Sequence, residues 1–106
     1  MKEAGSFLRV LPMIAIAIGP RFCLGQVVIT PSAMNKIPPE EVRAALRRHG
    51  QGDWGDLGSD DRAENVRALK FGGRLFSAYT AGNGTKFYII TESDRSVTTI
   101  LLPEDY

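Results

Sequence analysis

FYIITESDRSVTTILLPEDY, residues 87–106, is the stretch whose reading decides the fold. Residues 87–91 and 96–102 are rich in aromatic and β-branched side chains, which suit a pleated, half-buried surface. The polar residues between them read as a tight turn, and Pro103, Glu104 and Asp105 close the second strand and blunt an edge. Working back, Asn83-Gly84 is a strong hairpin signal. Residues 74–81, 85–91 and 96–102 therefore form an antiparallel meander. A two-residue turn at Asn83-Gly84 sets Tyr79 opposite Tyr88 and Thr80 opposite Phe87. A turn at Ser93-Asp94 sets Ile90 opposite Val97 and Phe87 opposite Ile100. One face then collects Phe76, Ala78, Phe87, Ile89, Ile100 and Leu102. The other collects Leu75, Tyr79, Tyr88, Ile90, Val97 and Leu101.

Upstream, residues 25–30 (GQVVIT) read as a strand bounded by Thr30-Pro31. Pro38 and Pro39 stand at helix-entry positions, followed by Glu40 and Glu41 where the helix dipole favours carboxylates. Val42, Ala45, Leu46 and His49 share one face of the helix at 38–49, and Gly50 stops it. Residues 50–58 (GQGDWGDLG) are a connection. Ser59, Asp60 and Asp61 start a second helix that ends at Gly72-Gly73, with Ala63, Val66, Leu69 and Lys70 along its stripe. The order β-α-α-β-β-β implies an α+β fold, an antiparallel sheet of about four strands with two helices on one face. Both sheet faces are apolar, so the second needs a cover, either the segment at 7–18 or another molecule.

The chain has 106 residues, enough for one domain, and thirteen Lys and Arg against twelve Asp and Glu give a net charge of +1. That balance lacks the broad basic field of a generic nucleic-acid binder and the acidity of a DNA mimic. Cys23 is alone, which suits a reducing cytoplasm. The apolar run at 10–19 is too short to span a bilayer, and as a secretory signal it has Glu3 before it and Pro12 within it. No membrane association is expected.

Three groups of residues merit attention. Asp53, Trp54 and Asp56 lie in the most distinctive loop: the tryptophan plugs the core edge or, if exposed, marks partner recognition together with Tyr79 and Tyr88. Arg43, Arg47, Arg48 and His49 gather at the end of the first helix, where cations suit the dipole and where a phosphate-binding patch is the sharper reading. Glu92 and Arg95 are expected to pair across the second turn. With one histidine and no ligand spacing, neither a metal nor a cofactor is expected.

Leu24 to Val28, Thr30-Pro31, Arg48-His49, Gly52-Asp53-Trp54-Gly55, Gly72-Gly73-Arg74, Ser77-Ala78-Tyr79 and the stretch from Ile89 to Tyr106 carry a resemblance to a family of small proteins borne on bacterial plasmids and integrative elements. It covers about four fifths of the chain, residues 22–106, and leaves 1–21 as an extension outside the pattern. Some members carry a restriction subunit M label. This chain has neither the Gly-rich cofactor loop nor the Asn/Asp-Pro-Pro-aromatic motif of an adenine methyltransferase, and the family supplies no catalytic residues. The resemblance implies a small mobile-element accessory protein, a binding or regulatory module acting through a protein partner or as a homodimer by its second sheet face. The element order is also similar to RelE-like ribonuclease toxins, which implies an alternative site of His49, Arg74, Tyr79, Tyr88 and Arg95 acting on RNA. Inhibition of host restriction or defence is a third reading from the mobile-element resemblance.

Overall fold

A computed structural model of the chain describes Arg9–Val10 and residues 20–106. Five strands, β1 (Arg9–Val10), β2 (Gln26–Ile29), β3 (Leu75–Thr80), β4 (Lys86–Thr91) and β5 (Val97–Leu101), form one sheet in the order β1-β2-β5-β4-β3. Three helices, α1 (Pro31–Lys36), α2 (Pro39–Gly50) and α3 (Ser59–Phe71), separate β2 from β3, and a short 3-10 turn, Pro103–Asp105, follows β5. The α+β class stands, but the sheet is mixed, because β2 runs parallel to β5. Val27, Val28 and Ile29 are buried on both faces, a pattern that suits a parallel strand inside a sheet rather than a half-solvated antiparallel one. Gly25 makes the junction possible: its φ is +64°, and a β-carbon there would lie 2.3 Å from the Ser96 carbonyl oxygen.

Helix α1 falls where the sequence suggests only a strand end. Thr30 follows directly on β2 and caps α1, its Oγ1 accepting from the Ala33 amide, and Pro31 occupies the first helical position. Helix α2 buries Val42, Ala45, Leu46 and His49, the expected face. Helix α3 is rotated from the expected stripe. It buries Asn65 and Ala68, leaves Ala63 and Val66 outside, and half-buries Leu69.

Both hairpin registers differ from expectation, with unequal consequences. Between β3 and β4 the turn holds three residues, Gly82 to Gly84, closed by the Ala81 amide on the Thr85 carbonyl at 2.8 Å, with Gly84 at φ +88°. This is the turn-plus-bulge form, in which a glycine takes the left-handed position. Tyr79 therefore faces Phe87 and Ala78 faces Tyr88, a one-residue slip that exchanges the faces of β3. The second hairpin has a four-residue loop at 93–96 with Arg95 at φ +62°, so Ile90 meets Thr99 and Ile89 meets Ile100. That slip of two leaves the faces of β5 unchanged.

The first face, under α1 and α2, carries Val27, Ile29, Tyr79, Phe87, Ile89 and Ile100 in one core cluster. A satellite cluster of Trp54, Ala68 and Leu75, with Phe22, Leu57 and Leu69 against it, joins α3 to the sheet. Val28, Ile90, Thr99 and Leu101 on the second face are also buried. The cover expected from residues 7–18 lies outside the described residues, except for Arg9–Val10, whose backbone extends the sheet beside β2.

Strand β3 is a sheet edge, yet the outward polar groups of Phe76 and Ala78 are occupied. The Asn65 side chain of α3 donates to the Phe76 carbonyl at 2.7 Å and accepts from the Phe76 amide at 3.1 Å. Two residues on, the Ala78 amide donates to the Trp54 carbonyl, and the Ala78 carbonyl accepts from the Asp56 amide at 2.7 Å. Gly55 lies flat against the strand, where a β-carbon would meet the Ala78 oxygen at 2.0 Å. The glycine-rich loop thus masks an edge that would otherwise template pairing with another chain.

Candidate functional site

His49 is fully buried and both ring nitrogens are engaged, Nδ1 with Ser77 Oγ at 2.6 Å and Nε2 with Thr91 Oγ1 at 2.9 Å. The chain continues from Thr91 Oγ1 to Thr98 Oγ1 at 2.7 Å and ends on the Leu24 carbonyl at 2.7 Å. A carbonyl only accepts, so the end point assigns every proton. Thr98 donates to Leu24, Thr91 donates to Thr98, and His49 Nε2–H donates to Thr91. Nδ1 is then the bare nitrogen and accepts from Ser77. Burial, aided by the positive charge of Arg95, pushes the His49 pKa down to about 3, so the ring is neutral at physiological pH. Phe22 and Trp54 pack edge-on to the imidazole at 5.3 and 5.7 Å between centroids.

A serine hydroxyl on an imidazole nitrogen has the ingredients of an activated nucleophile. Here Ser77 is itself fully buried on the helix-covered face, so no substrate reaches it in the folded chain. The network is a satisfied polar core, not a reaction centre.

Of the residues of the ribonuclease reading, Tyr79 and Tyr88 share one groove lining, and His49, Arg74 and Arg95 lie outside it. His49 and Tyr79 lie on the helix-covered side, and Tyr88 lies on the opposite face. The Arg95 guanidinium bonds the carbonyls of Gly73 (2.6 Å), Ala68 (3.1 Å) and Glu92 (3.1 Å), clipping the end of α3 to the second hairpin. The expected Glu92–Arg95 pair is replaced, because left-handed backbone at Arg95 turns its side chain under α3, and Glu92 instead pairs with Arg74 at 3.3 Å. Arg74 also donates to the Tyr106 hydroxyl and lies 5.8 Å from its ring centroid. Burial pulls the Arg74 pKa down, but Tyr106 and Glu92 outweigh it and the net shift is upward.

In the basic cluster, Arg43 and Arg47 are exposed on α2, one turn apart. Arg48 is committed to a two-pronged bond with Asp53, at 2.7 and 3.2 Å, and its guanidinium lies 4.8 Å from the Tyr79 ring centroid. That pairing raises the Arg48 pKa and lowers that of Asp53. Tyr79 donates its hydroxyl to the Asp53 carbonyl at 2.6 Å, and burial raises its pKa to about 12. Trp54 is 4% exposed, so its ring is a core plug. No cluster of three or more metal-ligating side chains occurs among the described residues.

One accessible groove gathers three of the residues singled out for partner contact. Asp56, Tyr79 and Tyr88 line a cavity of about 360 Å³ beside β3, with Asp61, Phe76 and Lys86. Tyr88 packs against Phe76 with the rings tilted at 49° and 4.7 Å between centroids, and Tyr106 meets both edge-on, forming an aromatic wall. Asp56 is held by the Thr80 hydroxyl at 2.9 Å. Phe76 and Lys86 carried no functional signal in the sequence, because the one-residue hairpin slip is what brings Phe76 beside Tyr88. Nearby, Arg74, Glu92, Tyr106, Ile90 and Leu101 surround a cavity of about 190 Å³ into which Thr99 also faces. The Thr99 hydroxyl is buried without a hydrogen-bond partner.

Comparison of the chain with protein-family models, curated proteins and solved structures finds no match. No helix among the described residues is long and apolar enough to cross a membrane.

Proposed function

We propose that the protein is a binding module, an accessory of a mobile element, that recognises a protein partner through the groove beside β3 on the second sheet face. The observation that carries this reading is the contrast between the two candidate centres. The His49 network is sealed and internally satisfied, whereas Asp56, Tyr88 and Phe76 present acid and aromatic surface side by side in an open groove. Aromatic anchors in a partly enclosed site are the usual source of interface energy. Because the outward groups of Phe76 and Ala78 are already bonded, a partner segment cannot join the sheet as an added strand. Recognition runs through side chains, and the Asp56 and Asp61 carboxylates favour a segment bearing a Lys or Arg.

A photo-crosslinking residue placed at Tyr88 in host cells tests this directly. A discrete protein adduct that is lost on Asp56→Lys and weakened at least tenfold by Phe76→Ala supports the groove. Recovery of RNA or ribosomes in its place transfers the reading to the ribonuclease class, and no adduct refutes partner binding at this face.

A further inference from the structure

Strand register builds the cavity of about 190 Å³ on the second sheet face. Alternation puts Arg74, just before β3, on the side of Phe76, and Glu92, just after β4, on the side of Tyr88 and Ile90. Ile90 pairs with Thr99 and Tyr88 with Leu101, so the side chains form adjoining rows. Ile90, Thr99 and Leu101 are buried and make the inner wall, while Arg74, Glu92 and Tyr106 make the more exposed rim.

Thr99 stands out on the inner wall. It is 1% exposed, and its hydroxyl is the one buried side-chain polar atom without a hydrogen-bond partner among the described residues. Buried hydroxyls are ordinarily paired, and a valine would fill the same place between Val28 and Ile90 with no unpaired group. The rim carries further bonding capacity. Arg74 pairs through Nε with Glu92 at 3.3 Å and donates through Nη1 to the Tyr106 hydroxyl at 3.2 Å, and neither contact uses Nη2. Tyr106 accepts in that bond and keeps its own O–H to donate.

A ligand that suits these groups carries both charges. A lone anion on Arg74 would strip Glu92 of its partner, and a lone cation on Glu92 would strip the guanidinium, whereas a zwitterion replaces both halves of the ion pair at once. In an α-amino acid the two charges are adjacent, as they are in the pair. Arg74, Tyr106 and Thr99 donate to its carboxylate, Glu92 accepts from its ammonium, and its side chain rests on Ile90 and Leu101. An apolar cavity of about 150 Å³ takes benzene, with its six heavy atoms, so this volume corresponds to about eight, the number in valine.

We propose that this cavity binds a free α-amino acid with a small aliphatic side chain, of about the size of valine. The Thr99 hydroxyl is sealed from solvent, so the ligand enters by parting Arg74 from Glu92, a bond that is weak at 48% and 34% side-chain exposure. The site does not depend on partner binding in the groove beside β3.

Titration of the isotope-labelled full chain with L-valine from about 10 µM to about 10 mM, followed by amide NMR spectroscopy, is the test. The expected result is saturable movement of the resonances at 90–92 and 99–101. Isovalerate, which lacks the ammonium, and isobutylamine, which lacks the carboxylate, should each bind at least tenfold more weakly. Thr99→Val removes the hydroxyl at nearly constant shape. It should weaken valine binding at least tenfold while the ligand-free variant unfolds at the same or a higher temperature, whereas a packing role alone would leave binding unchanged. Arg74→Gln and Glu92→Gln should each weaken binding at least tenfold, and they carry the test if Thr99→Val does not fold, as judged by Trp54 fluorescence. No saturable movement, movement centred elsewhere, isovalerate or isobutylamine binding as tightly as valine, or folded variants that bind like wild type would each overturn the proposal.

Discussion

Lowering the pH from 7 to 5 should destabilise this protein progressively, and His49 should be the cause. The imidazole titrates at its ordinary 6.5 in the unfolded chain and at about 3 when folded, because burial and Arg95 oppose its charge. Below 6.5 the unfolded state binds a proton that the folded state refuses, so stability is complete above that pH and falls until about pH 3. A tenfold difference in proton affinity corresponds to about 1.4 kcal/mol, so the full window represents about 5 kcal/mol, comparable with the whole stability of a small domain. By pH 5 the loss is about 2 kcal/mol. The carboxylates of Asp53, Asp94 and Asp105 are also held below their ordinary range, and they too lose stability as pH falls, but only once the pH enters the ordinary carboxylate range. The interval from pH 6.5 to 5 therefore isolates the histidine. Urea unfolding followed by Trp54 fluorescence at pH 7, 6 and 5 reads the slope, expected near one proton. His49→Gln lowers stability at pH 7 but should abolish the slope. A wild-type stability flat across this interval, or an equal slope in the variant, would show that the ring ionises in the folded chain and would refute the sealed network.

Gly55→Ala should cost more than about 2 kcal/mol by thermal unfolding, since the added carbon falls on the Ala78 oxygen and lifts the loop that masks β3. Light scattering on the same variant should show concentration-dependent aggregation through the opened edge; a soluble variant of unchanged stability contradicts the masking role. Asp105→Ala should cost about 1–3 kcal/mol, because its carboxylate accepts from the Thr30 and Ser32 hydroxyls at 2.7 and 2.6 Å and from the Leu102 amide. Burial pulls the Asp105 pKa up and these donors outweigh it, so the difference between wild type and variant should shrink as pH falls below the ordinary carboxylate range.

The element order and the meander were legible because β-branched runs, Pro38-Pro39 and Ser59 are local signals. The burial of Val42, Ala45, Leu46 and His49 followed from helical spacing alone. The parallel placement of β2 was not legible, since strand direction depends on where the chain returns, although the unbroken apolar run Val27 to Ile29 was a clue. The stripe of α3 misleads because its anchoring residue is a polar one: Asn65 is buried for its two bonds to Phe76, and no hydrophobic period reveals that. The hairpin at Asn83-Gly84 was visible and its length was not, as Gly82 allows a three-residue form. On that one residue depended the pairing of Phe76 with Tyr88, and with it the composition of the groove.

The hydrogen-bond chain through His49 also bears on how the sheet finds its alignment. Shifting β5 against β4 by two residues keeps every apolar side chain on its original side, so hydrophobic burial barely separates the two alignments. Polarity separates them sharply. Shifted, Thr91 faces Ser96 or Ile100 instead of Thr98, and the relay to the Leu24 carbonyl is cut between the two threonines, leaving each buried hydroxyl short of a partner. Each stranded group costs about 1–3 kcal/mol. Six atoms from five separate segments must arrive together, and their common proton order can be completed in only one way. The imidazole is thus a keystone of alignment: it allows short, β-branched strands that would tolerate several pairings to settle on a single one.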